Sequence, residues 1–279
     1  MGPIPAPNGA RCLELDERQV AEFYDVVGNS YDRSPYFLAC DPLYEAEVAR
    51  LTAGRRLPRV LELGCGTGKQ TAVIAPRVEE LVALDISASS LRQAEARCRG
   101  LRITNVRFLQ QSIVTLPGAD GSVDGIFSYG DVISHLHDAY REVFRESARV
   151  LRAGGFLAFE IDGKWELDML LHHPEERTRA RAASGQGHLR VWRDIPCKTF
   201  TDAELREELA AAGLGVSRVR GINILHCLLP ERILMTPASE VGVGWRAISS
   251  LCVQADRALS FLPWFYRLAS TRLVVAIKA

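Results

Sequence analysis

The sequence predicts an α/β protein in three layers: a seven-stranded, mostly parallel sheet with helices on both faces. Three observations carry that expectation. From Arg59 onward, apolar runs of strand length alternate with amphipathic stretches of helix length, a glycine-rich turn follows the first run, and an acidic residue closes the second. A chain of 279 residues, 47% hydrophobic and 24% charged, is long enough to bury roughly 70 to 75% of its unfolded surface, which one large domain needs.

The strands are read in order. "RVLELG" from Arg59, "ELVALDI" from Glu80, Val106 to Leu109, "VDGIFSYG" from Val123 and "FLAFEI" from Phe156 are the first five. Val216 to Leu225 and "TRLVVAIK" from Thr271 complete the seven. Helices are expected at Lys69 to Ala75, at Ser89 to Arg99 and across the apolar face of Tyr140, Val143, Phe144, Ala148 and Leu151. "TDAE" at Thr201 to Glu204 is a capping box, and its helix should end near Gly213. Strand order is left open at this stage.

Ahead of the sheet, residues 1–54 are expected to form a helical cover. Asp16 caps a first helix whose Val20, Phe23, Tyr24 and Val27 share one face, and Asp41 followed by Pro42 marks a second helix running to about Ala53. Residues 55–279 then form the ligand-binding domain, with inserts at about 163–195 and 226–268. Within those inserts, Val191 to Phe200 looks extended, and the apolar run containing Trp245, Leu251, Leu259 and Trp264 is expected to pack as helices on the sheet edge or on a second copy of the chain.

Composition excludes several classes. The 34 basic and 34 acidic residues cancel, which argues against a broad nucleic-acid footprint. No stretch approaches the ~20 apolar residues that span a bilayer, and no signal peptide is evident, so a cytoplasmic protein is expected. The seven cysteines are odd in number and lack C-x-x-C spacing, so reduced thiols are expected rather than disulfides or zinc. No His or carboxylate spacing suggests another metal, and the expected chemistry is metal-independent.

The turn "GCGTGKQ" from Gly64 lies where an open α/β sheet binds ligands, just after a strand and before a helix. It is neither a dinucleotide fingerprint, whose third glycine would replace Lys69, nor a phosphate loop, whose lysine would come one residue later. Asp85, at the end of the second strand, either accepts hydrogen bonds from vicinal ribose hydroxyls or caps the helix that follows near Ser87. After the fourth strand, "GDVISHLHD" offers candidate catalytic groups. His135 is either a general base titrating near neutrality or a residue packed beneath the next helix. Asp131 either binds an acceptor amine, orients His135 or shapes the turn.

Taken together, "LELGCGTG", "ALDIS", "FLQQSIVTLP", "VDGIFSYGDVISHL" and "RVLRAGG" resemble the ordered motifs of class I S-adenosylmethionine-dependent methyltransferases, especially the small-molecule group that includes the ubiquinone and menaquinone C-methyltransferases. The resemblance covers Phe23 to Ile161 and is weaker in the C-terminal third. It implies a Rossmann-like sheet and S-adenosyl-L-methionine as cofactor. Glu62, Gly64 and Gly66 would then lie near the amino and carboxylate end of the cofactor, Asp85 on its ribose and Ile86 on its adenine. Ser112 and Ile113 match the Asp-Ala pair at the adenine edge, and Ser128 would offer its carbonyl to the methionine ammonium. Tyr24 and Tyr31, in "FYDVVGNSYD", resemble the covering helix, with Tyr31 reaching the cofactor carboxylate.

The expected activity is methyl transfer to a moderately hydrophobic small-molecule acceptor, at oxygen, nitrogen or carbon. The aromatics Tyr36, Phe37, Trp165, Trp192, Trp245 and Trp264 are candidates for the acceptor pocket, for core packing or for a homo-oligomer interface. A protein that binds the cofactor without transferring methyl is the alternative. A dehydrogenase is disfavoured by Lys69 at the fingerprint position, and RNA methylation by the neutral charge. The departure from the family pattern is Ser112, where a carboxylate is usual; a neutral acceptor makes the weaker hydrogen bond. Ser112→Asp is therefore expected to tighten cofactor binding in a calorimetric titration, and an unchanged or larger Kd would contradict its placement at the adenine edge.

Overall fold

The computed structural model describes residues 19–22, 25, 33–182, 188–192 and 195–279. Tyr24 and Tyr31, together with the Asp16 cap, lie outside the described residues. The sheet contains nine strands: β1 Arg59–Leu63, β2 Glu80–Asp85, β3 Val106–Gln110, β4 Val123–Ser128, β5 Leu151–Gly163, β6 His188–Trp192, β7 Ile195–Phe200, β8 Leu214–Ile222 and β9 Thr271–Lys278. All seven expected strands are present, and two more come from the stretch expected to be extended before Thr201.

Pairing runs β3-β2-β1-β4-β5, and all these neighbours are parallel. β9 then pairs antiparallel with β5 and with β8. The order reverses beside β1, so a crevice opens at the carboxyl ends of β1 and β4, where such sheets bind ligands. β5 outlasts β4. Their pairing ends at Ser128 and Phe159, and from Asp162 onward β7 runs parallel to β5 while β9 still pairs with Asp162 through Thr271. β7 therefore continues along the edge that β4 has left.

Strand alternation sends Leu61, Leu63, Val82, Leu84, Ile126 and Phe159 to one face, and Val60, Leu81, Phe127, Phe156 and Ala158 to the other. On the first face lies the helix Tyr140–Val150, which buries Tyr140, Val143, Phe144 and Ala148. On the opposite face lies α1, Pro35–Thr52, which buries Cys40, Leu43, Tyr44, Val48 and Leu51.

α1 corrects the expected start at Asp41. Ser34 is its N-cap, Pro35 occupies the first turn, and Pro42 lies inside the helix. An interior proline costs about 3 kcal/mol, but the buried face runs without a break from Ala39 to Leu51, and its packing on Leu57, Val60 and Ile74 outweighs that penalty. Freed from capping, Asp41 pairs with Lys69 (Oδ2 to Nζ, 2.7 Å) and accepts a hydrogen bond from Gln70 Nε2 at 3.2 Å.

The helix after the glycine turn is also shorter than expected: α2 spans Thr71–Ile74 and passes into a 3-10 turn at Ala75–Arg77, where Pro76 lacks the N–H needed to continue. α3, Ala88–Gly100, is capped by the Ser87 hydroxyl accepting from Ser90 N. The Thr201–Glu204 capping box is present in full.

Gly68 fixes how closely the turn approaches α3. Its φ is +78°, and a Cβ there would stand 2.7 Å from the Ala94 Cα. Gly68→Ala combines left-handed strain with a backbone clash and is expected to cost about 2–4 kcal/mol, read as a lower urea midpoint at unchanged slope.

Candidate functional site

Two cavities occupy the crevice. The first, about 260 Å³, is lined by Glu62, Gly64, Gly66, Asp85, Ile86 and Ile113 among others. The second, about 680 Å³, is lined by Tyr36, Asp131, Glu160, Asp162, Cys197, residues 227–231, Leu234 and Met235 among others. Phe37, Tyr44, Gly130 and His135 line both, so these four residues stand where the cavities meet.

In the first cavity, Asp85 organises the turn. Its Oδ2 accepts from Gly66 N and its Oδ1 from Ser87 N, each at 2.8 Å. Each oxygen still has acceptor capacity for a ligand. Burial raises the Asp85 pKa, against the pull of these N–H groups. Ser87 is the N-cap residue of α3, and Asp85 holds its N–H at the start of that helix. Gly66 has φ +50° and nothing within 4 Å of where its Cβ would be; the space that a side chain would fill is left to the cavity. Two further polar atoms on this wall, Gln70 Oε1 and the Tyr129 hydroxyl, are buried and lack a hydrogen-bond partner among the described residues. A ligand rich in polar groups fits such a wall.

Glu62 is 3% exposed and accepts from Thr71 Oγ1 at 2.6 Å. Burial, aided by the nearby Asp85 charge, pushes its pKa to about 8, while the Thr71 hydroxyl opposes the shift. Ile86 and Ile113 line the cavity as expected of apolar contacts, but Ser112 and Ser128 do not. The Ser112 hydroxyl accepts from Val114 N at 3.2 Å, closing its own turn. Ser128 is fully buried and its Oγ donates to Leu63 O at 3.3 Å. Here the wall is formed instead by Tyr129 and Gly130.

At the junction, the 3-10 helix Val132–Ala139 carries His135. Its Nδ1 lies 3.4 Å from Cys197 Sγ on β7. Asp131 is the N-cap residue of that helix at φ +65° and accepts from Ser134 Oγ at 2.9 Å. Burial raises the Asp131 pKa well above the usual carboxylate range, and the neighbouring Asp162 adds to it. Glu160 accepts from the Tyr44 hydroxyl and, at 2.8 Å, from Gly130 N.

Of the six candidate acceptor aromatics, Tyr36 and Phe37 line the second cavity. Trp264 is 66% exposed, and the Trp192 side chain lies outside the described residues. Tyr44, Tyr129 and Cys197 were missed: the first two stack at 4.5 Å from distant points in the sequence. An aromatic at 129, directly after the fourth strand, was the available signal.

Residues 60–155 match the family model described as a methyltransferase domain. With the glycine turn, the acid after β2 and the crevice at the carboxyl ends of β1 and β4 in place, that match decides the class. The chain carries a class I S-adenosylmethionine-dependent methyltransferase domain.

The chain is 34% identical over 149 residues to a demethylmenaquinone methyltransferase of Corynebacterium urealyticum, a match covering 52% of this chain and 60% of that protein. It is 31% identical over 175 residues to the methyltransferase GfsG of Streptomyces halstedii, covering 55% and 61%. The chain thus matches about three fifths of the length of these curated relatives. Among solved structures, the [4+2]-cyclase SpnF superposes with a TM-score of 0.64 at 19% identity, covering 94% of this chain and 95% of that one. A Burkholderia thailandensis 1,6-didemethyltoxoflavin N1-methyltransferase does so with 0.56 at 19%, covering 99% and 94%. These two show the fold.

Among the described residues, no helix is long and apolar enough to cross a membrane, and no group of three His, Cys, Asp or Glu side chains is arranged to hold a metal ion.

Glu62 makes the stability of the domain depend on pH. The folded state keeps its proton up to about 8, whereas an ordinary glutamate releases it near 4.5. The stability this gives is complete below the ordinary value and is lost as pH rises towards 8, on the order of a few kcal/mol. Urea midpoints should fall between about pH 5 and about pH 8, and Glu62→Gln should flatten that fall.

Proposed function

We propose that the chain transfers a methyl group from S-adenosylmethionine to a small-molecule acceptor, with the cofactor in the first cavity and the acceptor in the second. The observation that carries this is the meeting of the two cavities at Phe37, Tyr44, Gly130 and His135. When bound, the cofactor supplies a methyl group already activated by a positively charged sulfur. The chain then has to bind, align and exclude water, and orientation of that kind is worth up to ~7–11 kcal/mol in favourable cases.

The residues fit these tasks. Asp85 offers its remaining lone pairs to the ribose hydroxyls, and Ile86 and Ile113 give the adenine apolar contact. Glu62, with Gln70 Oε1, accepts from the methionine ammonium; an ammonium there favours the ionised Glu62. The bare wall at Gly66 admits the ligand without a side chain in the way. Across the junction, Phe37 and Tyr44 shape the passage between the cavities. For a hydroxyl or carbon acid, His135 can take the proton at Nε2 when Nδ1–H points to Cys197; with the thiol donating instead, Nε2–H is a donor to the acceptor. A neutral amine needs neither.

Binding without transfer is the second reading. It is favoured by the Ser112 hydroxyl, which accepts from Val114 N and lies outside the lining of the first cavity.

Thermal unfolding with S-adenosylmethionine, S-adenosylhomocysteine, NAD and ATP in parallel tests the cofactor. The first two alone should stabilise the protein, by about 2.7 kcal/mol at a hundredfold excess over Kd, and Gly66→Ala should abolish the shift by filling the cradle. Stabilisation by NAD, or equal stabilisation of Gly66→Ala, would refute the placement. Release of S-adenosylhomocysteine with an amphipathic acceptor panel supports transfer over binding alone.

A further inference from the structure

The second cavity carries more charge than methyl transfer requires. Asp131, Glu160, Asp162, Glu166, Asp168 and Glu231 line it; its basic lining residues are histidines, with His172 and His173 both held by Asp168, and no lysine or arginine appears among its described lining residues. Glu160 and Asp162 are buried, and Asp131 is half-buried beside them. Glu160 and Asp162 stand two residues apart on β5, on one face of the sheet. Asp131 faces them from the start of the 3-10 helix, and Ser134 Oγ joins the group, donating to Asp131 at 2.9 Å and accepting from Asp162 N at 3.0 Å.

A second observation at the same place points to a ligand. Thr271, the register partner of Asp162 on β9, is 2% exposed and lines the cavity. Its hydroxyl lies near enough to Glu160 to favour the carboxylate, yet it has no partner in hydrogen-bond geometry among the described residues. Buried carboxylates crowded in this way repel one another and are costly unless paired. A group with several N–H donors and a positive charge satisfies all of them at once, and an ammonium has three donors. A metal ion is the poorer occupant, since no suitable ligand cluster occurs among the described residues.

The rest of the wall is apolar: Phe37, Leu228, Leu229, Leu234 and Met235. Resting on the assignment of this cavity to the acceptor, we propose that the acceptor is an amphipathic amine whose ammonium anchors it on Asp131, Glu160 and Asp162, with its apolar body along residues 228–235; the anchoring ammonium has no lone pair and is not the atom that takes the methyl group.

The test is calorimetric titration of the full chain with n-octylamine and with n-octanol, each with and without S-adenosylhomocysteine. Octylamine should bind at least about tenfold more tightly than octanol, the size of one charge-assisted hydrogen bond. Asp162→Asn should reduce that ratio; because it alters a buried cluster, Glu166→Gln, at the half-buried rim, provides a second variant, with thermal unfolding confirming that both are folded. Equal or weaker binding of octylamine, no binding of it, or an unchanged ratio in both variants would overturn the proposal. If S-adenosylhomocysteine binds and the amine preference is absent, only this inference fails. If the preference is present and S-adenosylhomocysteine does not bind, it is the methyl-transfer assignment that fails.

Discussion

The Asp85 carboxylate accepts one backbone N–H from the glycine turn and one from the start of α3, and the geometry of the first cavity depends on that clamp. The two N–H groups compensate for burying the carboxylate, hold the turn open at Gly66 and leave each oxygen free to accept again. Gly68 then sets the distance of the turn from α3. A binding site is thereby built from backbone that is in place before any ligand arrives, so ordering it costs little at the moment of binding.

The second cavity is built differently. Its walls come from segments far apart in sequence: α1, the 3-10 helix after β4, the end of β5 and the segment beyond it, Cys197 of β7 and residues between 227 and 235. They converge because β4 is shorter than β5, and β7 can continue along the edge beyond it. The same step brings Cys197 against His135. The turn of the first cavity is thus fixed by backbone hydrogen bonds, whereas the second cavity depends on side chains that distant segments bring together.

Signals local in sequence were legible. The strands, the capping box at Thr201, the glycine turn and Asp85 each follow from residues within one turn or one strand of each other, where propensity and spacing decide the outcome. The start of α1 was not legible, because Asp41-Pro42 is a sound local capping signal that the buried face from Ala39 to Leu51 overrides. The Ser112 and Ser128 hydroxyls engage nearby backbone groups, contacts that motif spacing does not reveal.

By itself, the sequence determined the layered α/β architecture, the parallel core strands and the turn-plus-acid signature of the first cavity, because each rests on contacts between neighbours along the chain. Only the tertiary structure decided that Asp131, Glu160, Asp162 and Thr271 line one cavity, that Tyr44 stacks on Tyr129 and that β7 brings Cys197 to that cavity. Those groupings depend on strand order and on where β4 stops relative to β5, and both are set by the packing of the whole sheet rather than by any local pattern.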